Sequence, residues 1–130
     1  MKMVKKVMMT MVMLFTLTVS SFGENNEVNN IESVEKYEFK VNQRRLANVL
    51  DMSNDQMEMS EYIIKEFEND LMFVYRIHSD AKTKVLSNAV KKHVKHMHYI
   101  LNDKQYKNYL MLFNLTLKNR GFDIYELNRE

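Results

Sequence analysis

The apolar and polar positions of the chain form one continuous apolar run followed by four stretches at helical period. The run is Val7 to Val19, preceded by Lys2, Lys5 and Lys6 and followed by Ser21, Phe22 and Gly23. A positive start, an apolar middle and small residues at Ser21 and Gly23 make the three-part pattern of a cleavable secretory signal, residues 1–23. The run falls short of the roughly 20 residues that a membrane-spanning helix needs, and Thr10, Thr16 and Thr18 interrupt it. A retained anchor is therefore the weaker reading, and no stable membrane insertion is expected after cleavage. Residues 24–33, rich in asparagine, read as a flexible leader, and residues 123–130 as a tail whose Ile124, Tyr125 and Leu127 dock or fray.

Between them, residues 34–122 read as one helical domain. A first helix is expected over about 32–50, from Val34, Tyr37, Val41, Leu46, Val49 and Leu50, although Asn42-Gln43-Arg44-Arg45 breaks its apolar pattern. A second, about 54–77, carries Ile63, Phe67, Leu71 and Val74 on one face, flanked by Met59, Tyr62, Ile64 and Phe73. A third, about 81–100, has the stripe Leu86, Ala89, Val90, His93, Met97 and Ile100, with Ser79-Asp80 as its expected cap. The fourth, about 103–119, carries Tyr106, Tyr109, Leu110, Phe113 and Leu117. Gly121 is placed to end it in a left-handed conformation, with Phe122 reaching back to Leu117.

Two of these helices open with the same device. In Met52-Ser53-Asn54-Asp55-Gln56-Met57, Ser53 stands three residues before Gln56. The serine hydroxyl can accept from the Gln56 N–H while the Gln56 side chain accepts from the Ser53 N–H, and Met52 can staple to Met57. Leu101-Asn102-Asp103-Lys104-Gln105-Tyr106 repeats the construction with Asn102 and Gln105. Proline and cysteine are absent and glycine occurs only at 23 and 121, so a hairpin-rich β fold and a disulfide framework are both disfavoured. The expected fold is all-α, a small bundle of about four helices.

Charge alters the picture once the signal is removed. Three of the 19 basic residues leave with it and all 17 acidic residues stay, so the remaining chain holds 16 against 17, a formal −1. That balance gives no footprint for nucleic acid. The third helix nevertheless sets Lys84, Lys91, Lys95 and His98 close together opposite its apolar stripe, a solvated face by default and a binding strip in the sharper reading. Glu66, Glu68 and Asp70 on the second helix read as solvated faces or intrahelical partners of Lys65. No cysteine nucleophile, HExxH, phosphate-binding glycine loop or serine elbow is present, and no enzyme activity or cofactor is expected.

His93, His96 and His98 with Met97 are the sole grouping that suggests a metal. On a helix His96 lies about 60° from His93, while His98 falls on the basic side, so His93 and His96 alone could share an ion, with help from another helix. A buried structural histidine beside solvated ones is the preferred reading. Met72, Phe73 and Tyr75 widen the apolar arc of the second helix beyond one stripe. Tyr62, Phe73 and Tyr75 are accordingly the candidate interaction surface, for a dimer mate or a polypeptide client.

The paired segments Met52-Ser53-Asn54-Asp55-Gln56 and Leu101-Asn102-Asp103-Lys104-Gln105 resemble the Leu-Thr-x-x-Gln motif of the Spy and CpxP family of bacterial periplasmic proteins. Methionine stands for leucine at 52, and serine and asparagine for threonine at 53 and 102. The resemblance spans roughly residues 34–120. It implies, in place of a plain bundle, a flat, curved cradle of about four helices that often dimerises, acting as an ATP-independent chaperone, an envelope-stress modulator or a metal-responsive protein. Ser53, Gln56, Asn102 and Gln105 would then be architectural. The near-neutral charge departs from the strongly basic concave face of the chaperone members. The expectation is an exported protein, periplasmic by preference and extracellular as the alternative, that binds unfolded or partner polypeptide without ATP. The alternatives are a metal-binding envelope protein and a structural protein without chaperone activity.

Overall fold

The computed structural model describes residues 34–78 and 80–123. The expected signal peptide, the leader, the Ser79 half of the third helix's cap and the tail from Ile124 onward lie outside the described residues. Within them the fold is all-α: α1 (Gln43–Leu50), α2 (Asn54–Arg76), α3 (Lys82–Ile100) and α4 (Asp103–Asn119), preceded by a 3-10 turn, Val34–Tyr37. No strand occurs among the described residues, and no helix there is long and apolar enough to cross a membrane.

The expected first helix is broken in two. Asn42 is its own helix start, its side chain accepting from the Arg45 N–H at 3.1 Å. The polar run that interrupts the apolar pattern is thus a cap followed by a first turn. Upstream, Tyr37 and Phe39 are both buried, a spacing of two that an extended segment satisfies and a helix does not. Residues 34–42 therefore form a strap laid across the helices. Tyr37 meets Phe122 edge-on at 5.4 Å and Tyr75 at 5.7 Å, while Phe39 meets Phe67 at 5.0 Å and Phe113 at 5.8 Å. Arg120 clamps the strap by donating to the carbonyls of Glu35 and Glu38. Its own burial pulls the guanidinium below its usual range, opposed by Glu38.

A second correction concerns α3. Ala81 occupies its N-cap in a helical conformation and makes no side-chain cap bond, and Asp80 lies exposed in the preceding turn. The tight connection from α2 leaves the chain already helical at 81, so no extended residue is available to aim a capping oxygen at the first turn.

α2 and α3 pack as an antiparallel pair, and α4 closes the core with the strap. Ile64, Phe67, Leu71 and Val74 of α2, Leu86, Ala89, Val90 and Met97 of α3, and Tyr109, Leu112, Phe113 and Leu117 of α4 form its interior. Ile64 rather than Ile63 takes the deeper place on α2, and Leu112 joins the interior face of α4. The end of α4 follows expectation. Gly121, with φ +93°, lets its N–H reach the Lys118 carbonyl and the Phe122 N–H reach the Leu117 carbonyl, each at 3.0 Å. Asp51 builds the same turn after α1 without glycine, at φ 59°. Its N–H bonds Asn48 O at 3.3 Å and the Met52 N–H bonds Ala47 O at 2.8 Å. The chain is thereby delivered directly to Ser53.

Candidate functional site

Both capping boxes form as the spacing requires. Ser53 Oγ accepts from Gln56 N at 3.1 Å and Gln56 Oε1 accepts from Ser53 N at 2.9 Å. Asn102 Oδ1 accepts from Gln105 N at 2.8 Å and Gln105 Oε1 from Asn102 N at 2.9 Å. The sequence alone does not reveal that the two boxes meet. Gln56 Nε2 donates to Gln105 Oε1 at 2.8 Å, and Gln105 Nε2 approaches Gln56 Oε1 at 3.2 Å. Each amide then spends its remaining donor capacity on the other hairpin. Gln56 Nε2 reaches Ile100 O at 2.9 Å, and Gln105 Nε2 reaches Leu50 O at 3.1 Å and Asp51 O at 3.0 Å.

A carboxamide offers two N–H donors and one oxygen with two lone pairs, and all are used here. Each glutamine thus starts its own helix and caps the carbonyl end of the helix that precedes the other box. The pair joins the α1–α2 corner to the α3–α4 corner. Gln105 is buried, so a partner lost from this knot leaves polar groups without water to replace it.

A second polar group lies in the core. His93 is 2% exposed, stacks on Phe67 at 4.5 Å, and has Nε2 2.6 Å from the Tyr109 hydroxyl. Its Nδ1 is buried and makes no hydrogen bond of full geometry. Desolvation, helped by the nearby His96, lowers its pKa to about 3, against a smaller opposing contribution from the Ile63 carbonyl. Burial likewise pushes the Tyr109 phenol well up, so both rings are neutral near pH 7.

The metal candidates are not brought together. His93 turns into the aromatic core, while His96 Nδ1 faces Glu66 Oε1 at 3.3 Å. His98 stacks on Tyr106 of α4 at 3.9 Å. Among the described residues no group of three histidine, cysteine or acidic side chains is placed to hold an ion.

The candidate interaction surface divides. Tyr62 is 79% exposed and Phe73 56%, whereas Tyr75 packs against Tyr37 and is partly buried. Tyr75 is removed from the surface because the strap, unrecognised in the periodicity, covers that side of α2. Tyr99 takes its place, at 89% exposed on α3. Its signal was an aromatic outside the apolar stripe of an otherwise basic helix face.

Tyr62 and Phe73 are eleven residues apart, which at about 100° per residue brings them within about 20° of one another on α2. Between these ends Lys92 Nζ lies 3.0 Å from Asp70 Oδ2 and 3.5 Å from Glu66 Oε2, joining α2 to α3. The bond to Asp70 holds the Lys92 ammonium above its usual range, with burial opposing. Half-exposed pairs of this kind contribute little stability. Beside them a shallow groove of about 240 Å³ is lined by Asp70, Phe73, Val85, Asn88, Ala89 and Lys92. Lys84 and Lys95 of the basic strip are exposed, and Lys91 is partly buried.

Comparison with protein-family models, with curated proteins and with solved structures finds no match to this chain.

Proposed function

We propose that the protein is an exported polypeptide-binding protein of the Spy and CpxP type, working without nucleotide as a chaperone or envelope-stress adaptor. The observation that carries this reading is the exposure of Tyr62, Phe73 and Tyr99 on one side of the α2–α3 pair, above a core that is otherwise closed. Large aromatics gathered on one surface suit recognition of apolar polypeptide segments. The reciprocal capping boxes add support, since they repeat the motif pair of that family and give it a structural task. At the middle of this surface Lys92 pairs with Glu66 and Asp70, and His96 faces Glu66.

The test is light scattering from an aggregating client protein, with and without the purified chain, in the absence of ATP. Suppression near stoichiometric ratio is expected. Tyr62→Ser combined with Phe73→Ser should diminish it while leaving helical content intact. No suppression by the unaltered chain across several unrelated clients would sink the reading.

A further inference from the structure

We propose that the basic face of α3 docks the protein reversibly on an anionic lipid surface, with Tyr99 seated among the headgroups. This goes beyond the polypeptide-binding reading and does not depend on it. The near-neutral total conceals a division of charge along the chain. Residues 51–81 hold eight acidic side chains against two basic ones, a formal −6. Residues 82–120 hold nine basic side chains against Asp103 alone, a formal +8 with neutral histidines. Within that half, α3 has five lysines and no acid.

The fold sorts these lysines by task. Lys92 turns to Glu66 and Asp70, and His96 to Glu66, so charge is balanced along the edge of α3 that meets α2. Lys84, Lys91, Lys95 and His98 fall within about 60° of one another on a different edge, roughly 110° further round the helix. The strip they make runs about 21 Å at the helical rise. Its last member, His98, stacks on Tyr106 of α4 at 3.9 Å, and exposed Lys104 and Lys107 stand on either side of Tyr106 in the sequence. Tyr99, 89% exposed, lies about 40° from Lys95 at the same end.

Three features favour a lipid surface over another polyanion. The strip lies on the outward side of one helix, a shape that meets a plane, whereas a nucleic-acid strand is tracked by a groove with successive aromatic platforms. Its cations are lysines, point charges suited to a diffuse layer of phosphates rather than the fork that pairs one carboxylate or phosphate in fixed geometry. The exposed aromatic beside them is a tyrosine, whose amphipathic ring belongs at headgroup depth. Clustered lysines are each worth roughly fivefold in affinity near an anionic bilayer, and Lys84, Lys91, Lys95, Lys104 and Lys107 reach the size of cluster that binds one. The acidic half fixes the orientation: α2, at a formal −4, is repelled from the same surface, so the protein tilts onto α3 and leaves Tyr62 and Phe73 open to solvent.

The chain has no tryptophan, so Tyr99→Trp supplies a single indole at the expected point of contact. This local probe is needed because Lys2, Lys5, Lys6 and the apolar run give residues 1–23 an affinity of their own for lipid. The full chain carrying Tyr99→Trp is mixed with phosphatidylcholine vesicles containing about 30 mol % phosphatidylglycerol, and with vesicles of phosphatidylcholine alone. A blue shift of the indole emission, and its quenching by brominated acyl chains, are expected with the anionic vesicles only. Adding Lys84→Glu and Lys95→Glu should reduce the quenched fraction at least about tenfold, and raising the salt from about 50 to 500 mM should do the same. Helical content should not change, since both positions are exposed and a glutamate at 84 lies in the first turn of α3, where negative charge is favourable.

Equal quenching by neutral vesicles, or quenching indifferent to the two charge reversals, overturns the proposal. Cosedimentation with the vesicles without shift or quenching at position 99 assigns the affinity to residues 1–23 and overturns it too. Complete displacement from the vesicles by polyglutamate or a single-stranded polynucleotide at equal charge concentration replaces lipid with that polymer as the occupant of the strip.

Discussion

The knot between Gln56 and Gln105 gives a quantitative prediction. Truncating Gln105 to alanine removes the acceptor of the Asn102 N–H, the donor to Leu50 O and Asp51 O, and the mutual amide pair. At about 0.5–1.5 kcal/mol net for each of four bonds, Gln105→Ala should cost about 2–6 kcal/mol. Gln56→Ala loses the Ser53 N–H and Ile100 O contacts with the same mutual pair, at a more exposed position, and should cost about 1–3 kcal/mol. Because the mutual pair is lost in either variant, the double variant should be less destabilised than the sum by about 1–2 kcal/mol. Urea unfolding followed by circular dichroism measures all four corners of the cycle. Gln105→Glu sharpens the test, since a carboxylate cannot donate and would face the carbonyls of Leu50 and Asp51. Its deficit relative to the unaltered protein should be largest near neutral pH and shrink in acid, as the protonated carboxyl regains one donor. Strict additivity, or an Asn102→Ala cost equal to that of Gln105→Ala, would show that each glutamine only caps its own helix.

Three further predictions rest on separate features. His93 has a folded pKa of about 3, below its unfolded value of about 6.5, so the unfolded chain binds the extra proton between these limits. Its contribution is whole above about pH 6.5 and falls by about 1.4 kcal/mol per unit as the pH drops toward 3. Unfolding at pH 7 and pH 5 should differ by about 2 kcal/mol from this group, and His93→Phe should flatten that difference. Asp51→Gly should raise stability by about 0.5 kcal/mol, since the left-handed turn strains a residue with a Cβ more than the freedom of glycine costs; a lower urea midpoint would contradict it. Phe73→Ser should change the unfolding free energy by no more than about 0.5 kcal/mol, whereas Tyr75→Ser, whose ring abuts Tyr37, should cost clearly more; equal effects would refute the division of that surface.

Local chemistry was legible in the sequence where it acts within one turn. The starts of α2 and α4, and the end of α4 at Gly121, lie where the spacing of Ser53, Asn102, their glutamines and the glycine puts them. The strap was not legible, because Tyr37 and Val41 can be read at helical spacing, and only the joint burial of Tyr37 and Phe39 distinguishes an extended path. Nor could periodicity show that Gln56 and Gln105, forty-nine positions apart, share hydrogen bonds. Their local role already accounted for both residue types. Tyr75 was placed on the surface for a related reason: helical angle gives direction from the axis, not what a neighbouring segment covers. His93 was legible as a structural histidine from its place in the apolar stripe, but its Tyr109 partner was not.

The two polar centres act on different parts of the fold, and their placement bears on how the α2–α3 surface can be used. The glutamine knot ties the chain at the Ser53 and Asn102 corners, where α2 begins and α3 ends. At the other end of α2, the strap does the corresponding work through Tyr37, Tyr75 and Phe122. Both ends of the α2–α3 pair are thus held from the core side, by groups that owe nothing to Tyr62, Phe73 or Tyr99. The ion pairs on the outward side are half-exposed and add little to stability. Substitution there should therefore change what the surface binds before it changes whether the protein folds. Such independence lets a small helical protein keep aromatic residues in solvent without making its own fold depend on their being covered.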